Sequence, residues 1–412
     1  MKYGLIGEHL THSFSKPIHE KIGDYVYEIK EIEPQNLDSF MKSKEFLAIN
    51  VTIPYKERVM PHLDVIDKSA KAIGAVNTVV NKNGMLYGYN TDYMGMKALV
   101  ENMELDVSGK KVLIIGTGGT SKTATALFHD LGASSIIYMS SSGAAGAYSR
   151  DEIYKNHRDV EIIINTSPVG MYPNIYASPV DIDGFDRLCG VVDAVYNPIQ
   201  TELVLKAKSK GIKAQGGLFM LVAQAVFASE HFTGRFITRE TILKTYNEIM
   251  LEKSNIVLVG MPSCGKSSVG KILAQKTGKR FVDTDSLIVE KIQMEISKYF
   301  SEYGEAKFRE VESQVIKEIA PVGGLVIATG GGAVLNEGNV KALKQNGIVF
   351  FIDRAIELLI PTDDRPLSRD IQAIRRLYNE RYPIYRGCMD VYIDGNGAVD
   401  EVANKIYGEL LK

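Results

Sequence analysis

Asn255-Ile256-Val257-Leu258-Val259-Gly260-Met261-Pro262-Ser263-Cys264-Gly265-Lys266-Ser267 decides the architecture of the second half of this 412-residue chain. The short β-branched run reads as a strand buried on both faces of a parallel sheet. The glycines after it follow the spacing G-x-x-x-x-G-K-S, and a helical pattern runs from Lys266 to Lys276. A strand, a glycine turn and a helix in this order make a phosphate loop, whose backbone N–H groups wrap phosphates. Gly260, Gly265 and Ser268 then line the nucleotide and Lys266 neutralises its β and γ charge. The Ser267 hydroxyl is the expected Mg²⁺ ligand. Cys264 reads as a small tolerated residue, with a redox role as the alternative.

Working outward, similar apolar runs ending in glycine recur at 2–7 (KYGLIG), 111–116 (KVLIIG) and 324–332 (GLVIATGGG). Helical patterns such as Thr120–Leu131 separate them, which predicts doubly wound α/β architecture throughout. Gly116-Thr117-Gly118-Gly119 closes one strand and opens a helix, as a dinucleotide turn does. It is too far from Gly260 to serve the same nucleotide, and its pattern differs, so the chain is not a duplication. The seam is expected at Leu251–Ser254, after a helical segment from Arg239 to Met250.

Composition is that of a folded protein, 45% hydrophobic and 24% charged with a net charge of -2. No basic stripe points to nucleic acid, and the seven histidines show no metal-ligand spacing. No apolar run is long enough to span a membrane. Three scattered cysteines fit free thiols in a reducing compartment, and no signal or transit pattern opens the sequence. The cytoplasm is the expected location; oligomeric state is left open.

Polar clusters bracket the first glycine turn: His12–Ser15, Asn50–Lys56, Gly74–Thr78, Gly88–Asp92, Asn165–Met171, Asp193–Pro198 and Gly216–Gln224. In this order and spacing, residues 1–250 resemble shikimate dehydrogenase. The resemblance implies a substrate subdomain from 1–104 and 216–250, with a Rossmann subdomain at 105–215 between. It implies that Ser13 and Ser15 bind the substrate carboxylate, and that Thr52, Asn77, Asp92, Tyr196 and Gln224 hold the ring. Gly116, Gly118, Gly119, Thr166, Ala194 and Gly217 are the implied cofactor contacts. Lys56 and Asp92 form the implied catalytic pair, which suits the chemistry: reducing a ketone builds charge on oxygen, and a cation must stand there. Taken alone, Lys56 reads as a solvated lysine, Asp92 as a helix cap, and Ser13 and Ser15 as N-caps. NADP is the expected cofactor and NAD the alternative, because Tyr138–Gly143 carries neither the arginine of NADP-using members nor an acidic residue.

Beyond the phosphate loop come Phe281–Asp285, Gly304–Arg309, Thr329–Gly332, Asp364–Leu367 and Glu380–Tyr385. With the loop they resemble shikimate kinase over 255–412, a nucleoside-monophosphate-kinase-like P-loop domain using ATP and Mg²⁺. The resemblance implies that Asp285 contacts the acceptor hydroxyls and that Asp283 orients the metal's water shell. Arg309 and Arg381 would clamp the acceptor carboxylate, Gly330, Gly331 and Gly332 would close on the ring, and Arg365 would stabilise the transferring phosphoryl group. In isolation Asp283 and Asp285 read as turn residues and Arg309 as a surface charge. Pro361–Asp364 lacks the arginine often found upstream of Arg365. The joined reading is a bifunctional enzyme acting on 3-dehydroshikimate and then shikimate. The alternatives are a quinate-preferring NAD enzyme, or one half serving only as a binding module.

Overall fold

The computed structural model describes residues 1–10, 13–141, 143–144, 146–361 and 370–411, and within these the strands form three sheets. The first unit, Met1–Ile249, holds two sheets, and the second, Met250–Lys412, holds one. The helix Arg239–Lys253 runs on through most of the expected seam.

The first sheet contains β1 (Tyr3–Gly7), β2 (Tyr27–Glu31), β3 (Ala48–Val51), β4 (Val65–Ile66), β5 (Thr78–Lys82) and β6 (Met85–Tyr89), in the order β2-β1-β3-β5-β6-β4. This sheet is mixed, because β5 runs antiparallel to both β3 and β6. Asn83-Gly84 alone joins β5 to β6, and both residues have positive φ, 54° and 86°. Two residues cannot make a parallel crossover, whereas a tight turn with positive φ at both positions matches the twist of a hairpin.

His19, on the helix Ser15–Ile22, is buried against this sheet. Its ring stacks on Tyr27 at 4.0 Å, and its Nδ1 lies 2.8 Å from the Tyr25 hydroxyl. Burial lowers its pKa from 6.5 to about 3. Between those values the unfolded chain binds the extra proton, so stability drains away as pH falls through that window. His19→Phe keeps an aromatic ring but removes the titration. Urea midpoints of the first unit are therefore expected to vary less between pH 6.5 and 4 in the variant, and an unchanged slope would refute a neutral buried His19.

The second sheet contains β7 (Lys111–Ile115), β8 (Ser135–Met139), β9 (Ile162–Asn165), β10 (Gly190–Asp193) and β11 (Lys213–Gln215). It is parallel in every pair, with order β11-β10-β9-β7-β8. The order reverses between β7 and β9, and the crevice at the carboxyl ends of such strands is where ligands bind. The third sheet contains β12 (Asn255–Val259), β13 (Arg280–Asp283), β14 (Leu325–Ala328), β15 (Gly347–Asp353) and β16 (Val391–Asp394), also all parallel, ordered β13-β14-β12-β15-β16. Central β12 is buried along its whole length, and the phosphate loop leaves its carboxyl end.

Candidate active sites

Lys56 follows β3, and Asp92 lies in the first turn of the helix Thr91–Asn102. The Lys56 Nζ stands 2.6 Å from Asp92 Oδ2, with the two side chains only 13% and 5% exposed. Lys56 is thus not a solvated lysine. Asp92 is not the cap either: Asn90 occupies that position and accepts the Tyr93 N–H. That leaves the Asp92 carboxylate turned toward the cation.

A buried amide network continues from this pair. Asn77 donates to Gln224 Oε1 at 2.9 Å and to Thr91 Oγ1 at 3.1 Å, and its Oδ1 accepts the Thr91 N–H at 2.7 Å. Asn50 donates to Thr78 and accepts from Tyr27, a partner outside the polar clusters of the sequence. Gln224 reaches Asn77 because the helix Leu218–Thr233 approaches Thr91–Asn102 at Gly95. A Cβ on Gly95 would lie 2.7 Å from Met220 O and 2.8 Å from Gln224 Cβ. Gly95→Ala is therefore expected to cost about 1–3 kcal/mol of stability and to raise the substrate KM of this unit as Gln224 withdraws. A lowered melting temperature with unchanged KM would break that link.

Ser15 starts its helix buried, and its N–H donates to Ser13 Oγ at 3.2 Å. The N-cap position belongs to Phe14, so neither serine is a simple cap of the kind considered above. The Phe14 ring, between the two serines in sequence, lies 5.4 Å from that of Tyr196. Thr52 donates its backbone N–H to Ile6 O and packs its methyl where a Cβ on Gly7 would fall.

The glycine turn sits at the reversal point of the second sheet. Gly116 has φ 107°, and a Cβ there would meet Thr166 Oγ1 at 2.9 Å, so only glycine fits beside that threonine. No atom lies within 4 Å of a Cβ placed on Gly118, which caps the helix Gly119–Asp130. An open approach to a helix N-terminus suits a pyrophosphate. A Cβ on Gly119 would be 3.6 Å from Lys56 Cδ, so the turn and the Lys56–Asp92 pair are neighbours. Ala194 and Gly217 meet, since a Cβ on Gly217 would strike Ala194 O. The ends of β9 and β10 are tied by Asp193, which accepts from Asn165, Val195 N and Thr201. Burial raises the Asp193 pKa to about 7, although these three donors favour its ionised form. In the Tyr138–Gly143 stretch Ser140 donates its N–H to Tyr148 O, and Arg150 is exposed at the start of its own helix.

In the second unit one cavity of about 680 Å³ is lined by Gly265, Lys266, Ser267, Ser268, Asp283, Asp285, Arg309, Gly330, Gly331, Gly332 and Arg381. That volume suits a small ligand with part of a nucleotide. Buried Lys266 folds onto the loop's own carbonyls, Gly260 O at 2.9 Å and Met261 O at 2.8 Å. Ser267 Oγ donates to Asp283 Oδ2 at 2.5 Å, while Asp283 Oδ1 caps the helix Thr284–Ile292. Asp283 is therefore both a cap and the acid beside the loop serine. Gly260 lies below the loop, where a Cβ would be 2.5 Å from Ile352 O.

Each glycine of the triple run is held to that size by a site residue. A Cβ on Gly330 would meet Asp285 Oδ1 at 2.7 Å and Glu312 Oε1 at 2.9 Å. One on Gly331 would meet the Pro262 ring at 2.9 Å, and one on Gly332 would strike the Arg309 guanidinium. Glu312 is a residue that the sequence reading missed. Its side chain is 1% exposed and accepts from Arg309 at 2.8 Å, while Glu305 takes the other nitrogen at 3.0 Å. Burial raises the Glu312 pKa, opposed by Arg309. Its position three residues after Arg309 on one helix was the available signal. The Tyr385 hydroxyl donates to Gly331 O at 2.5 Å and holds the run in place. Arg365 and His12 lie outside the described residues.

Among known families, the description "Shikimate dehydrogenase substrate binding domain" matches residues 5–79, and "Shikimate kinase" matches residues 262–411. The shikimate dehydrogenase (NADP(+)) of Clostridium perfringens (strain ATCC 13124) is 36% identical over 271 residues, covering 60% of this chain and 97% of the relative. Among solved structures, shikimate dehydrogenase 1 from Peptoclostridium difficile is 37% identical with a TM-score of 0.56, covering 60% of this chain and 98% of that one. The shikimate 5-dehydrogenase of Thermus thermophilus, solved with NADP(H) and shikimate, is 26% identical with a TM-score of 0.54, covering 60% and 99%. The chain thus belongs to the shikimate dehydrogenase family and carries a shikimate kinase domain behind the dehydrogenase.

Proposed function

We propose that residues 1–250 reduce 3-dehydroshikimate to shikimate with NADPH, and that residues 255–412 transfer the γ-phosphoryl group of ATP to shikimate, giving shikimate 3-phosphate. The observation that carries this reading is the Lys56–Asp92 pair at 2.6 Å beside Gly119, in a chain whose other unit sets two arginines around a phosphate loop.

In the dehydrogenase unit the bound nicotinamide supplies the hydride. Lys56 stands by to give a proton to the carbonyl oxygen as it becomes a hydroxyl, and Asp92, 2.6 Å away, holds that amine in place. Asn77 and Gln224 hold ring hydroxyls, Thr52 and Tyr196 frame them, and Ser13 and Ser15 take the carboxylate. The substrate subdomain is then 1–104 with 216–250, around the Rossmann subdomain 105–215.

In the kinase unit Arg309 and Arg381 grip the acceptor carboxylate, for which a planar fork suits two oxygens. Asp285, packed on Gly330, accepts the proton of the attacking hydroxyl. The residues fit Mg²⁺: the Ser267 hydroxyl and Asp283 carboxylate are adjacent hard oxygen donors at the loop. Lys266 can leave the carbonyls of Gly260 and Met261 for phosphate oxygens. No helix among the described residues is long and apolar enough to cross a membrane, and we place the enzyme in the cytoplasm.

A second reading, a quinate-preferring NAD enzyme in the first unit, is favoured by the lack of an arginine in Tyr138–Gly143. One assay separates the two. The full chain is given 3-dehydroshikimate, NADPH, ATP and Mg²⁺, and products are identified by mass. Shikimate 3-phosphate is expected. Shikimate accumulating alone would sink the kinase half, and turnover only with NAD and quinate would replace the first half of the proposal.

A further inference from the structure

Arg354 directly follows β15, outside the cavity that gathers the acceptor residues. Its guanidinium Nη1 lies 3.9 Å from a Cβ placed on Gly265, so the cation borders the phosphate loop where the helix Lys266–Thr277 begins. The Arg354 Nε is buried and has no hydrogen-bond partner among the described residues. The adjacent carboxylate is engaged elsewhere, since Asp353 accepts from the hydroxyls of Tyr378 and Tyr392, each at 3.1 Å. The next backbone N–H, that of Ala355, donates to Asn396 Oδ1 at 2.8 Å and fixes the loop that presents the arginine.

A buried guanidinium nitrogen left without an acceptor costs free energy that a ligand oxygen can offset. The neighbouring loop is built to wrap phosphates through its N–H groups. Resting on the kinase reading above, we infer that Arg354 is a nucleotide-binding residue: its guanidinium pairs with the phosphate chain of ATP or ADP, as a second cation beside Lys266. It supplies a positive charge that Pro361–Asp364, the stretch before Arg365, does not contain.

The test measures binding of ADP·Mg²⁺ to the full chain by calorimetry, with no acceptor present. Arg354→Met is expected to weaken ADP roughly tenfold or more, the range of a charge-assisted hydrogen bond. It should also flatten the salt dependence of binding, leaving shikimate binding and the ligand-free melting temperature unchanged. Arg354→Lys, retaining charge without the fork, should recover part of the loss. The inference is overturned if Arg354→Met binds ADP like the wild type, if the wild type binds no ADP, or if both variants lose melting temperature and affinity alike. A chain that binds ADP through Arg354 but never phosphorylates shikimate would instead sink the acceptor assignment and keep the arginine's role.

Discussion

Replacing Lys56 with alanine is expected to lower ketone reduction by about 10³-fold, within the range seen when a positioned proton donor is lost, while phosphoryl transfer stays at the wild-type rate. The size follows from the lysine's burial: little water reaches a group 13% exposed, so solvent is a poor replacement donor. Independence follows from the site residues: among the described residues, those lining the kinase cavity run from Pro262 to Arg381, and Lys56 is not one of them. The variant also strands Asp92, 5% exposed, and breaking a buried pair costs about 3–5 kcal/mol. Melting must therefore be followed alongside both activities. Lys56→Met keeps the aliphatic stem and gives the cleaner comparison. Loss of both activities in a folded protein would end the picture of separate sites, and near-normal reduction would remove Lys56 from the chemistry.

Arg309→Ala should raise the KM for shikimate in the kinase reaction by about 100-fold, the loss of a forked pair to a carboxylate. It also leaves Glu312 buried with its main partner gone. The single variant is therefore expected to be less stable by a few kcal/mol. Arg309→Met combined with Glu312→Gln separates the two effects: stability should return while the acceptor KM stays high. If KM returned together with stability, Arg309 would be a structural ion pair and Arg381 would hold the acceptor alone. Lys56-dependent reduction serves as the internal control in every sample.

Much of this was legible along the chain because glycine turns after apolar strands are local features. Gly116–Gly119 and Gly260–Ser267 each need only their own φ angles and the helix that follows. Strands of the second and third sheets were legible for the same reason, in β-branched runs such as Ile256–Val259 that are buried along their length. The hairpin at Asn83-Gly84 was also written locally, but it was submerged in the alternating pattern around it. Glu312 was harder to see. On a helix it reads as one more surface acid, and its 1% exposure and the packing of Gly330 against its oxygen show that it is enclosed.

The sequence by itself determined the two nucleotide turns, the residue types needed for hydride and phosphoryl transfer, and the separation of the two chemistries along the chain. Tertiary structure alone decided which of those residues meet. Lys56 and Asp92, 36 positions apart, touch at 2.6 Å, and Asn77 and Gln224 are joined across 147. The physical reason is that such contacts depend on how closely helices and strands approach, and at Gly95 and Gly332 that distance is set by the absence of a single side-chain carbon.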